Sequence, residues 1–275
     1  MARLAAGAGG VARRGAVVAG GVVGQRGGTG VITLNNLTVS YRGHPALHHV
    51  SGQFAPGSLT AVIGPNGSGK STLLKSIVGL LPVAGGAGSG LKVLASRQHI
   101  AYLPQLSEMD RSFPLNVRDC VLLGLWSHTG AFGRADSPML ARVDAALAAV
   151  GLQGFERRPV GTLSSGQFQR ALFARMLVQD AQVILLDEPF NAVDSKTTTG
   201  LLRLVQQWHQ QGRTVVAVLH DDAQVRQYFP QTLLLARELV GWGATAEVLT
   251  PANLQRARSM AEAWDETAET CGLNA

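Results

Sequence analysis

The chain is 275 residues long, with 46% hydrophobic and 15% charged residues, which fits one large α/β domain with a small subdomain and is too short for two such domains. It contains no uninterrupted apolar stretch of about 18–20 residues, so we expect no membrane-spanning helix. The net charge is +6, but the arginines of residues 1–30 supply +4 of it, and no basic stripe with interleaved aromatic residues follows, which argues against nucleic-acid binding.

Residues 1–30 differ in composition from the rest of the chain. They hold 10 of the 33 glycines, and alanine, valine and arginine make up most of the remainder. Such a segment cannot bury enough apolar surface to offset the entropy lost on ordering. We therefore expect a disordered extension over 1–30, with order beginning near Val31.

The next part of the chain is predicted to form strands around one helix. Strands are expected at 31–41, 47–54, 59–64 and 99–105, with a turn at "RGHP" (42–45) and a loop at 84–90. The run "LTAVIG" (59–64) is typical of a strand buried on both faces of a sheet. The apolar residues after it are at helical spacing, and Pro82 should stop that helix.

Residues 106–160 are predicted to be helical. The better of two candidates is "SPMLARVDAALAAVGL" (137–152), with Ser137 as the N-cap and Pro138 at the first helical position. Strands are then predicted at 183–188, 214–220 and 231–236, with a helix at 196–211 and a short helix from Asp221. Alternating strands and helices favour an α/β fold with a mostly parallel sheet.

The loop "GPNGSGKST" (64–72) matches the phosphate-loop pattern G-x-x-x-x-G-K-[ST], with a predicted strand before it and a helix after it. Its glycines let backbone N–H groups point at phosphates. Lys70 is expected to reach the β- and γ-phosphates, and Ser71 to ligate Mg²⁺. We expect all of its residues to lie against MgATP: Gly64, Pro65, Asn66, Gly67, Ser68, Gly69, Lys70, Ser71 and Thr72.

Two carboxylates end the buried strand "VILLDEP" (183–189). Asp187 could hold Mg²⁺ and Glu188 could polarise the attacking water, although taken alone the pair could also cap a helix. His220 ends the next predicted strand, where it could lie near the γ-phosphate or be structural. The pair His48–His49 is expected to point to opposite faces of a strand and so not to share an ion.

The segment "LSSGQFQR" (163–170) resembles a second anion-binding helix start, because its first turn has small side chains and open N–H groups. The residues expected to bind the anion are Ser164, Ser165, Gly166 and Gln167. Gln105 means little alone. Tyr41 could stack on adenine or be a tyrosine at the solvent edge.

The motifs above, together with "NAVD" (191–194), occur in the order found in ATP-binding-cassette (ABC) ATPases, which the chain resembles over about 31–255. The resemblance implies an antiparallel N-terminal β-subdomain, a helical subdomain at about 106–178 and a tail at 256–275. It also implies a head-to-tail homodimer, in which Ser164 and the amides near Gly166 contact ATP held by the phosphate loop of the other copy.

The same resemblance implies a role for each remaining site residue. Glu188 would be the general base and His220 a switch on the γ-phosphate, while Lys70 would also serve catalysis. Gln105 would link Mg²⁺ to the transmembrane partner, Asp194 would lie at the dimer seam, and Tyr41 would lie against adenine. Ser165 departs from the family's usual Gly, and we expect binding to survive if φ there is negative.

The segments "SFPLNVRDCVLLG" (112–124), "DEPFNAVD" (187–194) and "EVLTPANL" (247–254) resemble the ATPases of zinc and manganese importers. This implies a peripheral subunit on the cytoplasmic face of the inner membrane, with a separate permease and, indirectly, an extracytoplasmic metal-binding protein. The alternatives are an ATPase for iron-chelate or haem uptake, an exporter half, and a soluble ABC ATPase not coupled to transport.

The tail and the two cysteines give no sign of a further metal site. Cys120 and Cys271 are far apart and match no metal-binding spacing, so we interpret them as a core thiol and a tail thiol in a reducing compartment. The acidic residues of 256–275 are interpreted as a solvated helical end rather than a metal sensor.

Overall fold

The computed structural model describes residues 31–41, 44–83, 90–130 and 133–263. The predicted extension at 1–30 and Cys271 lie outside this range. Within the described residues, the strands form two sheets, of three and six strands. They are β1 (Ile32–Tyr41), β2 (His44–Phe54), β3 (Leu59–Ile63), β4 (Gly90–Val93), β5 (Ile100–Leu103), β6 (Val183–Asp187), β7 (Thr214–Val218), β8 (Gln231–Ala236) and β9 (Glu238–Ala244).

The six-stranded sheet has the order β5-β6-β7-β3-β8-β9, and all its pairings are parallel except that of β8 with β9. Every residue of β3, β6 and β7 is buried, as expected for strands covered on both faces. The register aligns Asp187 with Val218 and Val218 with Val62. The loops that follow β3, β6 and β7 therefore leave the sheet side by side at its carboxyl edge.

The helices of the described residues follow strands or lie in an insertion between β5 and β6, except that α9 follows α8. They are α1 (Lys70–Ile77), α2 (Val117–Leu122), α3 (Trp126–Thr129), α4 (Ser137–Ala149), α5 (Ser165–Gln179), α6 (Ser195–Gln210), α7 (Asp222–Tyr228), α8 (Thr245–Val248) and α9 (Pro251–Glu262). Within the insertion, α2 and α4 pack on α5. Phe173 of α5 stacks on Trp208 of α6, with ring centroids 5.7 Å apart, which joins the insertion to the core.

The antiparallel sheet β2-β1-β4 covers the face of the large sheet that also packs α1. Its inner side chains share one core with Val62, Leu73 and Val216. Burial of this apolar surface fixes the sheet close to the phosphate loop, and the Phe54 ring lies 4.6 Å from the Trp242 ring of β9.

The structure corrects several local predictions. Asp136 is the N-cap of α4, accepting from the Met139 N–H, and Ser137 is the first helical residue. α1 ends at Ile77 because Gly79 takes a left-handed conformation, with φ of 77°, before Pro82 is reached. β7 ends two residues before His220.

Other differences arise from glycine and from strand irregularity. β4 begins at Gly90 and β9 contains two glycines, and neither strand was predicted. His49 has φ of 52°, which breaks the alternation of β2, so the His48 and His49 rings are in edge contact at 4.1 Å. The prediction that they point to opposite faces was wrong. α9 crosses position 255, where the domain and the tail were divided.

Candidate functional site

The phosphate loop lies between β3 and α1 and is packed too tightly for side chains at two positions. A Cβ on Gly64 would lie 1.9 Å from the Leu235 carbonyl oxygen, and one on Gly69 would lie 2.4 Å from the Ala46 carbonyl oxygen. Gly67 has φ of 74° and open space around it. The Ser68 N–H donates to the Pro65 carbonyl at 3.2 Å. These constraints fix a curled loop at the start of α1.

Lys70 is buried and bends back over this loop. Its Nζ donates to the Gly64 carbonyl at 2.9 Å and to the Pro65 carbonyl at 2.8 Å. Burial lowers the pKa of Lys70, and the carboxylates of Glu188 and Asp187 oppose that effect. A cation is thus held at the mouth of the loop by two carbonyls that a phosphate could replace.

Three of the predicted site residues meet at one point. Ser71 Oγ donates to Asp187 Oδ1 at 3.0 Å, and Gln105 Nε2 donates to Ser71 Oγ at 3.3 Å. Asp187 is fully buried, and its Oδ2 makes no hydrogen bond in the described part of the chain. Burial raises the pKa of Asp187 to about 6, opposed by the Ser71 hydrogen bond and aided by Glu188 and Glu108. The phenol of Tyr102, which the sequence analysis did not single out, has its pKa raised by burial and by the Asp187 charge.

Glu188 is held at both carboxylate oxygens. His220 Nε2 lies 2.7 Å from Oε1, and Asn191 Nδ2 donates to Oε2. The Glu188 backbone has φ of 50°, and its N–H donates to the Val218 carbonyl at 3.2 Å. Glu188 and Asp187 thus have different side-chain partners, and neither of them caps a helix in the described residues. Asp194 caps α6 instead, by accepting from the Thr197 N–H at 2.9 Å.

Ser164 begins α5 with a reciprocal capping box. Its Oγ accepts from the Gln167 N–H at 3.2 Å, and its N–H donates to Gln167 Oε1 at 3.0 Å. Ser165 is the first helical residue and is not among the residues with positive φ. A serine therefore fits here as well as the family's usual glycine does. A Cβ on Gly166 would lie 3.4 Å from Asp194 Oδ2. Hydrogen bonds from Thr197 lower the pKa of Asp194.

The structure therefore brings together Lys70, Ser71, Gln105, Asp187, Glu188 and His220, but it leaves 164–167 apart from them. In the described ranges, no hydrogen bond or ion pair joins 164–167 to the phosphate loop. The side chain of Tyr41 lies outside the described part of the structure, so its stacking on adenine stays a prediction.

A cavity of about 360 Å³ opens beside Glu188 and is lined by Gln105, Leu106, Ser107, Arg111, Glu188, Asn191 and Ala192. Arg111 and Asn191 were not among the predicted site residues, although Asn191 begins the motif "NAVD". Asn191 lies three residues after Glu188, a spacing that could have drawn attention to it, whereas nothing in the sequence marks Arg111. The cavity lies between the carboxylate of Glu188 and the loop that follows β5, which contains Gln105 and is called the Gln105 loop below.

Two features are absent from the described residues. No helix there is both long and apolar enough to cross a bilayer. No group of three or more His, Cys, Asp or Glu side chains in that part of the chain could hold a metal ion.

A family model described as ABC transporter matches residues 47–191. The chain is 38% identical to the manganese transport system ATP-binding protein MntB of Halalkalibacterium halodurans, over 80% of this chain and 89% of the relative. It is 40% identical to the zinc transport system ATP-binding protein TroB of Treponema pallidum, over 82% and 86%. A solved structure provisionally described as a metal-chelate type ABC transporter, in an inward-facing conformation, matches with a TM-score of 0.73 at 30% identity, over 83% of this chain and 89% of that one.

Proposed function

Because this chain belongs to the ABC transporter family and is an ATPase of that family, we propose that it energises the import of a transition metal, zinc or manganese, through a separate permease. The proposal that the protein hydrolyses ATP rests on one observation: Lys70, Ser71, Asp187 and Glu188 lie close together at the carboxyl edge of the sheet. The metal part is supported by relatives whose names refer to manganese and zinc and by the segments noted in the sequence.

Magnesium fits the cluster formed by Ser71, Gln105 and Asp187. Mg²⁺ prefers oxygen ligands, and the cluster offers a hydroxyl, a side-chain amide and a buried carboxylate oxygen without a hydrogen bond. The ion would neutralise charge that develops on the phosphates. Lys70 would exchange the Gly64 and Pro65 carbonyls for phosphate oxygens, and the residues 64–72 would surround them with N–H groups.

Glu188 is proposed as the general base. It ends a turn from the buried strand β6 and reaches the cavity beside Gln105. Each carboxylate oxygen has one partner, His220 or Asn191, and keeps a lone pair that could accept a proton from water. These contacts orient the base, and His220 would exchange its contact for one with the γ-phosphate.

The separation of 164–167 from the phosphate loop supports a homodimer in which each copy completes the other's site. The first turn of α5 has a satisfied cap at Ser164, and beyond it the helix offers N–H groups and a positive dipole end to an anion. ATP bound to the partner copy would supply that anion, and Asp194 beside Gly166 would lie at the seam. Hydrolysis would then depend on closure of the dimer.

The transport role implies further partners and a location. We propose that residues 31–255 form the ATPase domain, that the helical insertion at about 106–178 meets the permease, and that an extracytoplasmic metal-binding protein delivers the ion. The protein would lie on the cytoplasmic face of the inner membrane. Uptake of an iron chelate or haem is the second candidate, which the likeness to a metal-chelate type transporter favours.

The test measures uptake of manganese, zinc and an iron chelate in cells that lack this chain. Loss of manganese or zinc uptake is expected, with rescue by the wild-type chain and by Glu238→Gln but not by Glu188→Gln. Loss of iron-chelate uptake alone would favour the second candidate. Unchanged uptake of all three by cells without the chain would show that this ATPase is not coupled to their transport.

A further inference from the structure

The loop that follows β5 is fastened at one end to the nucleotide site. Gln105 donates to Ser71 at 3.3 Å, and Glu108 accepts from Lys75 Nζ of α1 at 2.6 Å. Ser71 belongs to the phosphate loop, and Lys75 lies one turn further along α1. A shift of Ser71 or of the first turns of α1 would therefore be passed to this loop.

Arg111 fastens the other end of the same loop to the start of α5. Its Nη2 donates to the Leu163 carbonyl, and its guanidinium carbon lies 4.8 Å from the centre of the Phe168 ring. The backbone is equally close, since a Cβ on Gly161 would lie 3.0 Å from the Arg111 carbonyl oxygen. A charge-assisted hydrogen bond and a cation–π contact are among the stronger side-chain interactions.

The two groups that Arg111 holds lie on either side of the helix start. Leu163 precedes the N-cap Ser164, and Phe168 lies one turn later, where its N–H donates to the Ser164 carbonyl at 2.8 Å. The direction of the first turn of α5 is thus set by a side chain from the Gln105 loop. Arg111 also lines the cavity that contains Glu188.

We propose that Arg111 is a positioning residue that couples each copy's own nucleotide site to the first turn of its α5. This rests on the proposed function, in which that turn contacts ATP on the partner copy. Binding of nucleotide at Ser71 and Gln105 would move the loop, and Arg111 would carry α5 with it. Arg111 itself touches neither nucleotide nor metal in this scheme.

The matched control is Arg142 of α4, whose side chain contacts the other end of α5. Its Nη2 donates to the Val178 carbonyl at 2.8 Å, so it makes the same kind of bond near the last turn of α5. The variants Arg111→Met and Arg142→Met each remove one arginine–carbonyl bond and keep an unbranched apolar stem. Both should bind ATP as the wild-type protein does, and Arg111→Met should lose somewhat more thermal stability because it also loses the contact with the Phe168 ring.

Only Arg111→Met should lower kcat, by about tenfold, a factor that corresponds to about 1.4 kcal/mol, with KM unchanged. It should also weaken the ATP-dependent dimer formed in the Glu188→Gln background. Gln105→Ala should lower kcat as well, and the double variant Gln105→Ala/Arg111→Met should be no slower than Gln105→Ala alone, because both changes cut one connection.

Two results would overturn the proposal. One is an equal loss of kcat in Arg111→Met and Arg142→Met, which would show that Arg111 only stabilises the helix. The other is a double variant whose loss is the product of the single losses. A failure of the proposed function can be distinguished from these results. It would appear as near-normal ATP hydrolysis by Glu188→Gln in a protein that keeps Arg111.

Discussion

His220 Nε2 lies 2.7 Å from Oε1 of Glu188, and Asn191 occupies the other oxygen of the same carboxylate. These two contacts orient the carboxylate, and each oxygen keeps a lone pair that could accept a proton from water. The partners lie in different loops, His220 after β7 and Asn191 in the segment that leads to Asp194. Movement of either loop in the proposed dimer would therefore reorient the base.

Replacement of Glu188 by Gln should leave ATP binding intact and lower the rate of hydrolysis by roughly 10²–10⁴-fold, the usual contribution of a general base. The variant should also accumulate as a dimer in ATP, because closed dimers no longer reopen by hydrolysis. Turnover by ATPase assay and mass by sedimentation measure these effects.

The matched control for this change is Glu238→Gln. Glu238 also faces a histidine, with Oε1 at 3.2 Å from His48 Nδ1, but it lies in β9 and not in the loop after β6. Its turnover should equal that of the wild-type protein. Near-normal turnover in Glu188→Gln, or monomers at saturating ATP, would contradict the assigned role.

The phosphate loop offers a test of steric necessity at two glycines. Gly64→Ala should fail to fold normally, because its Cβ would lie 1.9 Å from a carbonyl oxygen of β8, which cannot move without breaking the sheet. Gly67→Ala meets no atom within 4 Å and should lose only about 1–2 kcal/mol, from its left-handed backbone. Urea unfolding without nucleotide measures both, and equal losses would refute the argument.

The sequence predicted best those features that are local along the chain. The phosphate loop, Asp187 and Glu188 follow buried apolar strands, so their positions at the sheet edge could be derived from a short pattern. The order of strands at that edge then brings in Gln105 and His220. Asn191 lies in the motif "NAVD", but its contact with Glu188 was not predicted, and neither was the contact of Arg111 with Leu163, because both depend on the folded arrangement of loops.

The errors of local prediction have equally local causes. Asp136 and Ser137 are both good N-caps, and the sequence alone could not show which of them has the extended backbone of a cap. The positive φ of His49 was not foreseen, because a β-bulge depends on the pairing of two strands. In β9, the glycines Gly241 and Gly243 obscured the strand pattern.

Ser165 tests whether the departure from the family's usual Gly matters. Since Ser165 lies within the first turn of α5 without a positive φ, glycine would relieve no strain there. Ser165→Gly should change kcat by no more than about twofold, the effect of an ordinary surface substitution. Gly166→Ala, which brings a Cβ to 3.4 Å from Asp194 Oδ2, should impair ATP-driven dimerisation more. A large gain of activity in Ser165→Gly would contradict this view.

Asp187 should make the nucleotide-free protein less stable at neutral pH. Because burial raises the pKa of Asp187 to about 6, above about 3.9 in the unfolded chain, the folded state binds this proton more tightly. The contribution of Asp187 to the free energy of unfolding is therefore most favourable below about pH 4, and this benefit is lost as the pH rises through about 6. Asp187→Asn should therefore stabilise the protein by about 3 kcal/mol at pH 7.5 and by about half as much at pH 5.

The comparison variant is Asp194→Asn, for which the sign is opposite. Hydrogen bonds from Thr197 lower the pKa of Asp194, so its contribution is present at neutral pH and is lost as the pH falls. Asp194→Asn should bring no gain in stability at pH 7.5. Urea unfolding in a chelator, at both pH values, measures these differences. The gain in stability of Asp187→Asn should come with loss of magnesium-dependent hydrolysis, because magnesium would bind and neutralise the buried carboxylate. An equal gain at both pH values would contradict this account.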